Sequence, residues 1–292
     1  MVIDIHNHAD YHGYNAAMMV DNMDEKGVDI TCLLSWEAPR YDYDPGSKRV
    51  LSPFSEDPVP FGRCVSYKEY APERFLLGFC PDPRRPDAIM RLKSAVSLYN
   101  ISMCGELKLR MMYDNLDAVR MYRYCGQERL PVLVHLDYEL SDKYAYPWPC
   151  YWYGGGVDAF ERAVALCPET NFIGHAPGFW AHISGDDRYK TESYPDGPVL
   201  PGGRIQQMLD KYPNLYCDIS AGSGHNALNR DREHAKKFLK AYQDRICFGR
   251  DYYDSVHKDL LDNLGLPEDV LTKIYEGNAR KILRNGDKIS RA

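Results

Sequence analysis

Short apolar runs alternate with amphipathic stretches from one end of the chain to the other. The apolar runs fall at residues 2–5, 28–34, 74–79, 104–109, 131–136, 171–174, 215–219 and 245–249, and each reads as a strand. Between them, apolar positions recur at helical spacing over residues 15–26, 87–98, 116–127, 157–166, 204–209 and 234–242. Two closing helical stretches follow at 258–264 and 268–283. Parallel strands need crossover connections, so strands separated by helices imply a parallel sheet. With eight such units, a single-domain (β/α)8 TIM barrel over residues 1–292 is the economical reading. An open doubly wound sheet would place a glycine-rich phosphate turn after the first strand, and here that strand runs into His6-Asn7-His8.

Three connections exceed what a minimal barrel needs: residues 36–60, 137–156 and 176–203. All three follow strands, which puts them at the C-terminal face, where such barrels build their active sites. The middle one carries Tyr138, Tyr144, Tyr146, Trp148, Tyr151, Trp152 and Tyr153, a composition that suits either a substrate lid or a packed surface loop. Aromatic-rich loops of this kind also leave a homo-oligomer open.

Charge and cysteine content narrow the function classes. A formal net charge of −6, with no long run of Lys and Arg, excludes the basic surface that nucleic acid or an anionic membrane selects. The expected partner is a small-molecule substrate. Nine cysteines, scattered and without a CxxC pair, argue against a zinc ribbon and preclude a complete disulfide framework. They are expected to be reduced, several of them as small core residues. The opening MVIDIHNHAD resembles neither a signal peptide nor a membrane span, so a cytoplasmic location is expected.

The chemistry lies at the strand ends. His6 and His8 stand two apart where the first strand finishes, and alternation puts them on one face. The fifth strand ends in His135, the sixth in His175, and the eighth is followed at once by Asp251. Four imidazoles and a carboxylate converging on one barrel mouth suit Zn²⁺, Mn²⁺ or Fe²⁺. In the fourth strand, Leu107 and Leu109 are assigned to the helix side, so Glu106 and Lys108 point inward. Such a pair is costly inside a barrel unless it is paired or engages a metal. A Glu106–Lys108 or Lys108–Asp251 salt bridge is one reading. The others are Glu106 bridging two metals, and Lys108 as a carboxylate anchor or carbamylated bridge. His12, His182, His225, His234 and His257 lie in loops or helices and receive no role. Arg110, Trp180, Arg250, Tyr252 and Tyr253 sit just past strand ends and are candidates for gripping substrate.

The motifs DIHNH, VLVHL, FIGH and FGRD, in this order, resemble the amidohydrolase superfamily, in particular its amidohydrolase-related branch. The resemblance spans nearly the whole chain, including the closing IYEGNARKIL, and HAPGFWAHISGD and DISAGSGHNAL look like an uncharacterised subgroup. It implies His6, His8, His135 and Asp251 as ligands of one or two divalent ions, zinc foremost. His175 would be a ligand of a second metal or the catalytic histidine, and Asp251 the base for an attacking water. Glu106 matches a strand-four glutamate of TatD-like hydrolases, although GELK here departs from their GE-x-G.

The activity this implies is metal-dependent hydrolysis of a small cyclic ester, amide or sugar-acid-like compound. Non-oxidative decarboxylation by the same ligand set is the first alternative, and a barrel that only binds a small molecule is the second. A PHP-type phosphoesterase would add histidines soon after the second strand, and residues 28–60 contain none.

Overall fold

A computed structural model describes residues 1–39, 42, 57–137 and 154–290. Most of the connection 36–60 and all seven aromatic residues named in the second connection lie outside the described residues. The strands are β1 (Ile3–Asn7), β2 (Ile30–Trp36), β3 (Phe75–Cys80), β4 (Cys104–Leu107), β5 (Val132–His135), β6 (Phe172–His175), β7 (Leu215–Asp218) and β8 (Ile246–Cys247). Every pairing is parallel, in two ladders, β1-β2-β3 and β4-β5-β6-β7-β8.

Single hydrogen bonds join the two ladders into a ring. At one seam the Ser102 N–H donates to Leu77 O (2.7 Å) and the Phe79 N–H to Met103 O (3.2 Å). At the other, the Ile5 N–H donates to Phe248 O (3.1 Å). Inside the ring, Ile3, Ile5, Cys32, Leu34, Met103, Leu133, Ile173, Tyr216 and Cys247 form an apolar floor. Outside it, the opposite faces of the strands pack on the helices, with Leu33, Phe75, Val132, Phe172 and Phe248 among them. Burying each such side chain stabilises the fold by ~1.5–3 kcal/mol.

Two bulges decide what stands above that floor. Along β1, Asp4 pairs with Thr31 but Asn7 pairs with Leu33, so three steps on β1 match two on β2. Along β4, Cys104 pairs with Val132 and Leu107 with Val134, again three steps against two. An extra residue re-phases the in–out alternation of a strand. Ile3 and Ile5 fill the interior, yet His6 and His8 also face in, while Asn7 turns out to donate to Tyr252 O (2.8 Å). In β4, Cys104 and Leu107 both belong to the outer core, and Glu106 faces in.

The helix Ala16–Lys26 starts at Asn15, whose side chain accepts from the Met18 N–H, and stops at Gly27 with φ 66°. Leu116–Gln127 agrees with its apolar pattern to the residue. Three α-helices have no counterpart in that pattern, the shortest being the single turn Pro177–Trp180. Phe61–Tyr70 fully buries only Cys64 and Tyr67, too narrow a stripe to read. Ala221–Asn229 (AGSGHNALN) contains two poor helix formers, and it forms where it can touch the barrel closely. A Cβ at Gly224 would lie 2.1 Å from Ile219 O. The closing stretch 268–283 is a continuous helical path through Glu268–Thr272 and Asn278–Ile282, with a π turn at Lys273–Gly277.

All eight described cysteines are buried and free. Among the described residues no helix is long and apolar enough to cross a membrane.

Candidate metal centre

His6, His8, Glu106, His135, His175 and Asp251 meet at the C-terminal mouth of the ring. The His6 Nε2 lies 3.9 Å from Glu106 Oε1 and 3.8 Å from Asp251 Oδ1. The His8 Nε2 lies 3.6 Å from Glu106 Oε2 and 3.3 Å from Asp251 Oδ1. The His175 Nε2 lies 3.7 Å from Glu106 Oε1 and 3.9 Å from Asp251 Oδ2. His135 approaches Glu106 Oε1 with Nδ1, at 2.6 Å. Donor atoms ~2.1 Å from a shared ion stand roughly 3.0–3.4 Å apart, so these spacings need only a small contraction to close on a cation. Three donor groups occur among the described residues, His6–His8–Asp251 and Glu106–His135–His175 at the mouth and His6–His175–Asp218 behind them.

The other ring nitrogens fix the tautomers. His6 Nδ1 donates to Asp218 Oδ2 (2.8 Å), and His175 Nδ1 donates to Asp218 Oδ1 (2.9 Å). His8 Nδ1 donates to Leu34 O (3.0 Å). With the proton on Nδ1, all three Nε2 atoms present a lone pair to the two carboxylates. Those of His6 and His175 are buried and find no hydrogen-bond partner among the described residues. Lone pairs facing carboxylates repel unless a cation sits between them, so this donor set fits a divalent metal.

The electrostatics agree. Burial pulls the His6 imidazole down, but Asp251 and Asp218 outweigh it and its pKa is raised. Burial acts the same way on His175, and Asp218, Glu106 and Asp251 raise it. Both rings thus sit where positive charge is favoured. Burial pushes the Glu106 carboxyl up, and His135 foremost holds it well below the usual carboxylate range. For Asp251, burial is likewise outweighed, by His6 and His8, and the carboxyl stays ionised. Burial and the Lys108 charge lower His135. Asp251 has φ 51°, a strained backbone, and its N–H donates to His6 O (2.8 Å).

Asp218 is the residue that the sequence reading missed. It is fully buried at the end of β7 and accepts from both histidines and from the Ser220 N–H (3.1 Å) and Oγ–H (2.7 Å). Burial pushes its carboxyl up, but His175 and His6 hold it far below the usual range. Its place at a strand end was a sufficient clue, since every other member of the cluster shares it.

A family model for amidohydrolases matches residues 3–284. The chain belongs to the amidohydrolase family. No curated protein matched it in sequence. Solved structures of other proteins share its fold. An uncharacterised TIM-barrel protein from Bordetella bronchiseptica is 14% identical with a TM-score of 0.65, covering 96% of this chain and 97% of that one. A dihydroxybenzoic acid decarboxylase from Polaromonas, solved with manganese and the inhibitor 2-nitroresorcinol, is 16% identical with a TM-score of 0.60, covering 100% and 98%. A 4-oxalomesaconate hydratase from Rhodopseudomonas palustris is 16% identical with a TM-score of 0.56, covering 99% and 97%.

In this amidohydrolase a cavity of about 500 Å³ opens beside the cluster, and Tyr11, Lys108, Tyr194, Asp251 and Tyr252 are among its lining residues. A larger one of about 630 Å³ borders His182 and Arg204 and is lined by none of the clustered histidines, so the smaller cavity is the one that serves them. Lys108 makes no ion pair with Glu106 or Asp251 among the described residues, which sets aside the internal salt bridge.

Four of the five substrate-gripping expectations meet side chains or backbone engaged elsewhere. Trp180 is 1% exposed, packs on Phe179 and Phe238, and donates Nε1–H to Asp218 O (3.0 Å), so it braces β7 from behind. The Arg250 side chain faces outward, donating Nε–H to Asp4 Oδ2 (2.8 Å) and NH1 to Asn22 Oδ1 (2.8 Å). Tyr253 stacks on Tyr14 at 3.7 Å inside the wall. Arg110 sits where its N–H donates to Asp42 Oδ2 (3.4 Å), away from the residues lining the cavity. Of that set Tyr252, 42% exposed, and Arg250 are among the residues lining the cavity, the Arg250 guanidinium being held by Asp4 and Asn22.

Proposed function

We propose that this amidohydrolase uses one or two divalent ions to hydrolyse a small ester or amide, a cyclic or sugar-acid-like compound among them, in the cavity beside the histidine cluster. The observation that carries this is the set of three Nε2 lone pairs turned toward Glu106 and Asp251. His6, His8 and Asp251 would hold one ion, and Glu106, His135 and His175 a second. Imidazole-rich donor sets suit zinc best, with manganese or iron also accepted. When bound, the cation supplies a Lewis acid that polarises a carbonyl and acidifies water.

The chain's own residues do the rest. Asp251 is ionised, and its side chain remains 15% exposed at the cavity. It is placed to take a proton from the attacking water and return it to the leaving group. The Lys108 ammonium, without an ion pair to either cluster carboxylate, is available to a substrate carboxylate.

Decarboxylation is a second reading, favoured by that same ammonium beside the cluster and by the decarboxylase among the proteins of like fold. In it, Asp251 would first take up a proton from solvent and pass it to the carbon from which carbon dioxide departs. The experiment is elemental analysis of the purified protein for zinc, manganese and iron. Turnover is then assayed on ester, lactone and amide panels and, by carbon dioxide release, on hydroxybenzoic acids. We expect at least one ion per chain, loss of turnover on chelation with recovery on reloading, and an Asp251→Asn variant that folds yet is slowed ~10²-fold or more. Carbon dioxide release without hydrolysis would select the lyase. Ligand binding without turnover would leave a binding barrel. A protein that neither holds nor reloads metal would overturn the proposal.

A further inference from the structure

Three histidines that the metal cluster does not use, His12, His225 and His257, line the same cavity, and the last two face each other. His257, on the helix Val256–Asp262, is 2% exposed, and its Nε2–H donates to Ala221 O (2.9 Å). The proton is therefore on Nε2, and Nδ1 carries a lone pair. That Nδ1 is buried and has no hydrogen-bond partner among the described residues. An unmet buried acceptor costs ~1–3 kcal/mol, which a donor from a ligand would recover. A purely structural role, pinning the strained turn at Ala221 (φ 58°), uses Nε2 alone and leaves Nδ1 without a purpose.

His225, on the helix Ala221–Asn229, places its ring 5.7 Å from that of His257 at 80°. Burial lowers both rings below the ordinary histidine value, so at neutral pH both are uncharged and able to accept. Lys108 follows β4, whereas His225 and His257 follow β7 and β8. In an eight-stranded ring β4 and β8 stand opposite one another. A molecule lying over the metal cluster thus meets an ammonium on one side and neutral imidazole acceptors on the other.

We propose that the substrate is a small hydroxylated carboxylic acid derivative, its anionic end held by Lys108 and a hydroxyl donated to His257 beside His225. This rests on reading the cavity as the substrate's, and it adds what the substrate must carry at each end.

The test is calorimetric binding to the zinc-loaded full chain. The probes are glycerate, threonate and gluconate, each set against its counterpart without hydroxyls: propanoate, butanoate and hexanoate. At least one hydroxy acid should bind about 3- to 10-fold more tightly than its partner, the worth of one hydrogen bond. His257→Leu removes the Nδ1 acceptor along with the bond to Ala221 O, so it should abolish that preference and leave the plain acid's affinity unchanged. His225→Ala, at a half-buried position, should reduce the preference, and it decides the matter if the His257 variant does not fold. Lys108→Met should weaken both members of a pair alike. Absence of a preference in all three pairs would overturn the proposal. So would a preference that survives both histidine substitutions, because another group at the cavity would then be its source. Zinc content measured on the same samples separates the two readings: no zinc with the hydroxyl preference intact sinks the metal-dependent function and leaves this subsite standing.

Discussion

Replacing Asp218 by Asn tests whether one buried carboxylate sets the metal affinity of the whole cluster. Its two oxygens accept the Nδ1–H of His6 at 2.8 Å and of His175 at 2.9 Å. Asparagine has the same shape but only one acceptor oxygen, and its amide nitrogen would face the second N–H donor to donor. The second ring must then lose its hydrogen bond or move its proton to Nε2, where it covers the lone pair meant for the metal. Losing the partner of one ligating histidine costs 10–100-fold in metal affinity. Because the same change also blocks a donor atom, we expect the upper end, about 100-fold or roughly 3 kcal/mol. The assay is zinc competition against a chromophoric chelator, with circular dichroism to show that the variant is folded. An Asp218→Asn protein that is folded and binds zinc with unchanged affinity and stoichiometry would refute the reasoning.

Two further predictions concern the scaffold. Arg250→Met leaves Asp4 buried without its counter-ion at 2.8 Å, so unfolding in denaturant should be easier by about 3–5 kcal/mol; unchanged stability with a raised KM would instead restore Arg250 as a substrate contact. His182 is held at about 4, by burial and then by Arg204. Between pH 4 and the ordinary value of 6.5 the unfolded chain binds a proton that the folded chain refuses. Its contribution is therefore fully present above about pH 6.5 and is lost as pH falls through that window. His182→Gln should flatten the acid limb of the stability profile by about 2–3 kcal/mol, and superimposable limbs would contradict this.

Much of the candidate site was legible because its members share a position in the strand rather than a local motif. His135, His175 and Asp251 each close an apolar run, and barrel closure brings strand ends together whatever the intervening loops do. Asp218 stands at the end of the seventh run in the same way, yet the sequence reading counts DISAGSGHNAL only toward the family resemblance and gives Asp218 no role. Arg250 and Trp180 misled for the opposite reason. Their types suit substrate binding, yet Asp4 and Asn22 claim the guanidinium, and Asp218 O claims the indole. His225 and His257 received no role because loops and helices carry no alternation from which to read direction.

The sequence by itself determined the parallel eight-stranded ring, the face that carries the chemistry and the amidohydrolase resemblance, since these follow from the order and spacing of apolar runs and the residues that end them. Only the tertiary structure decided which way those residues point. Two bulges turn His6, His8 and Glu106 inward above a floor set by the opposite phase, and a bulge is a mismatch between neighbouring strands that neither strand records alone. Asp218, likewise, acquires its role from histidines 212 and 43 residues away, a proximity that exists only once the ring has closed.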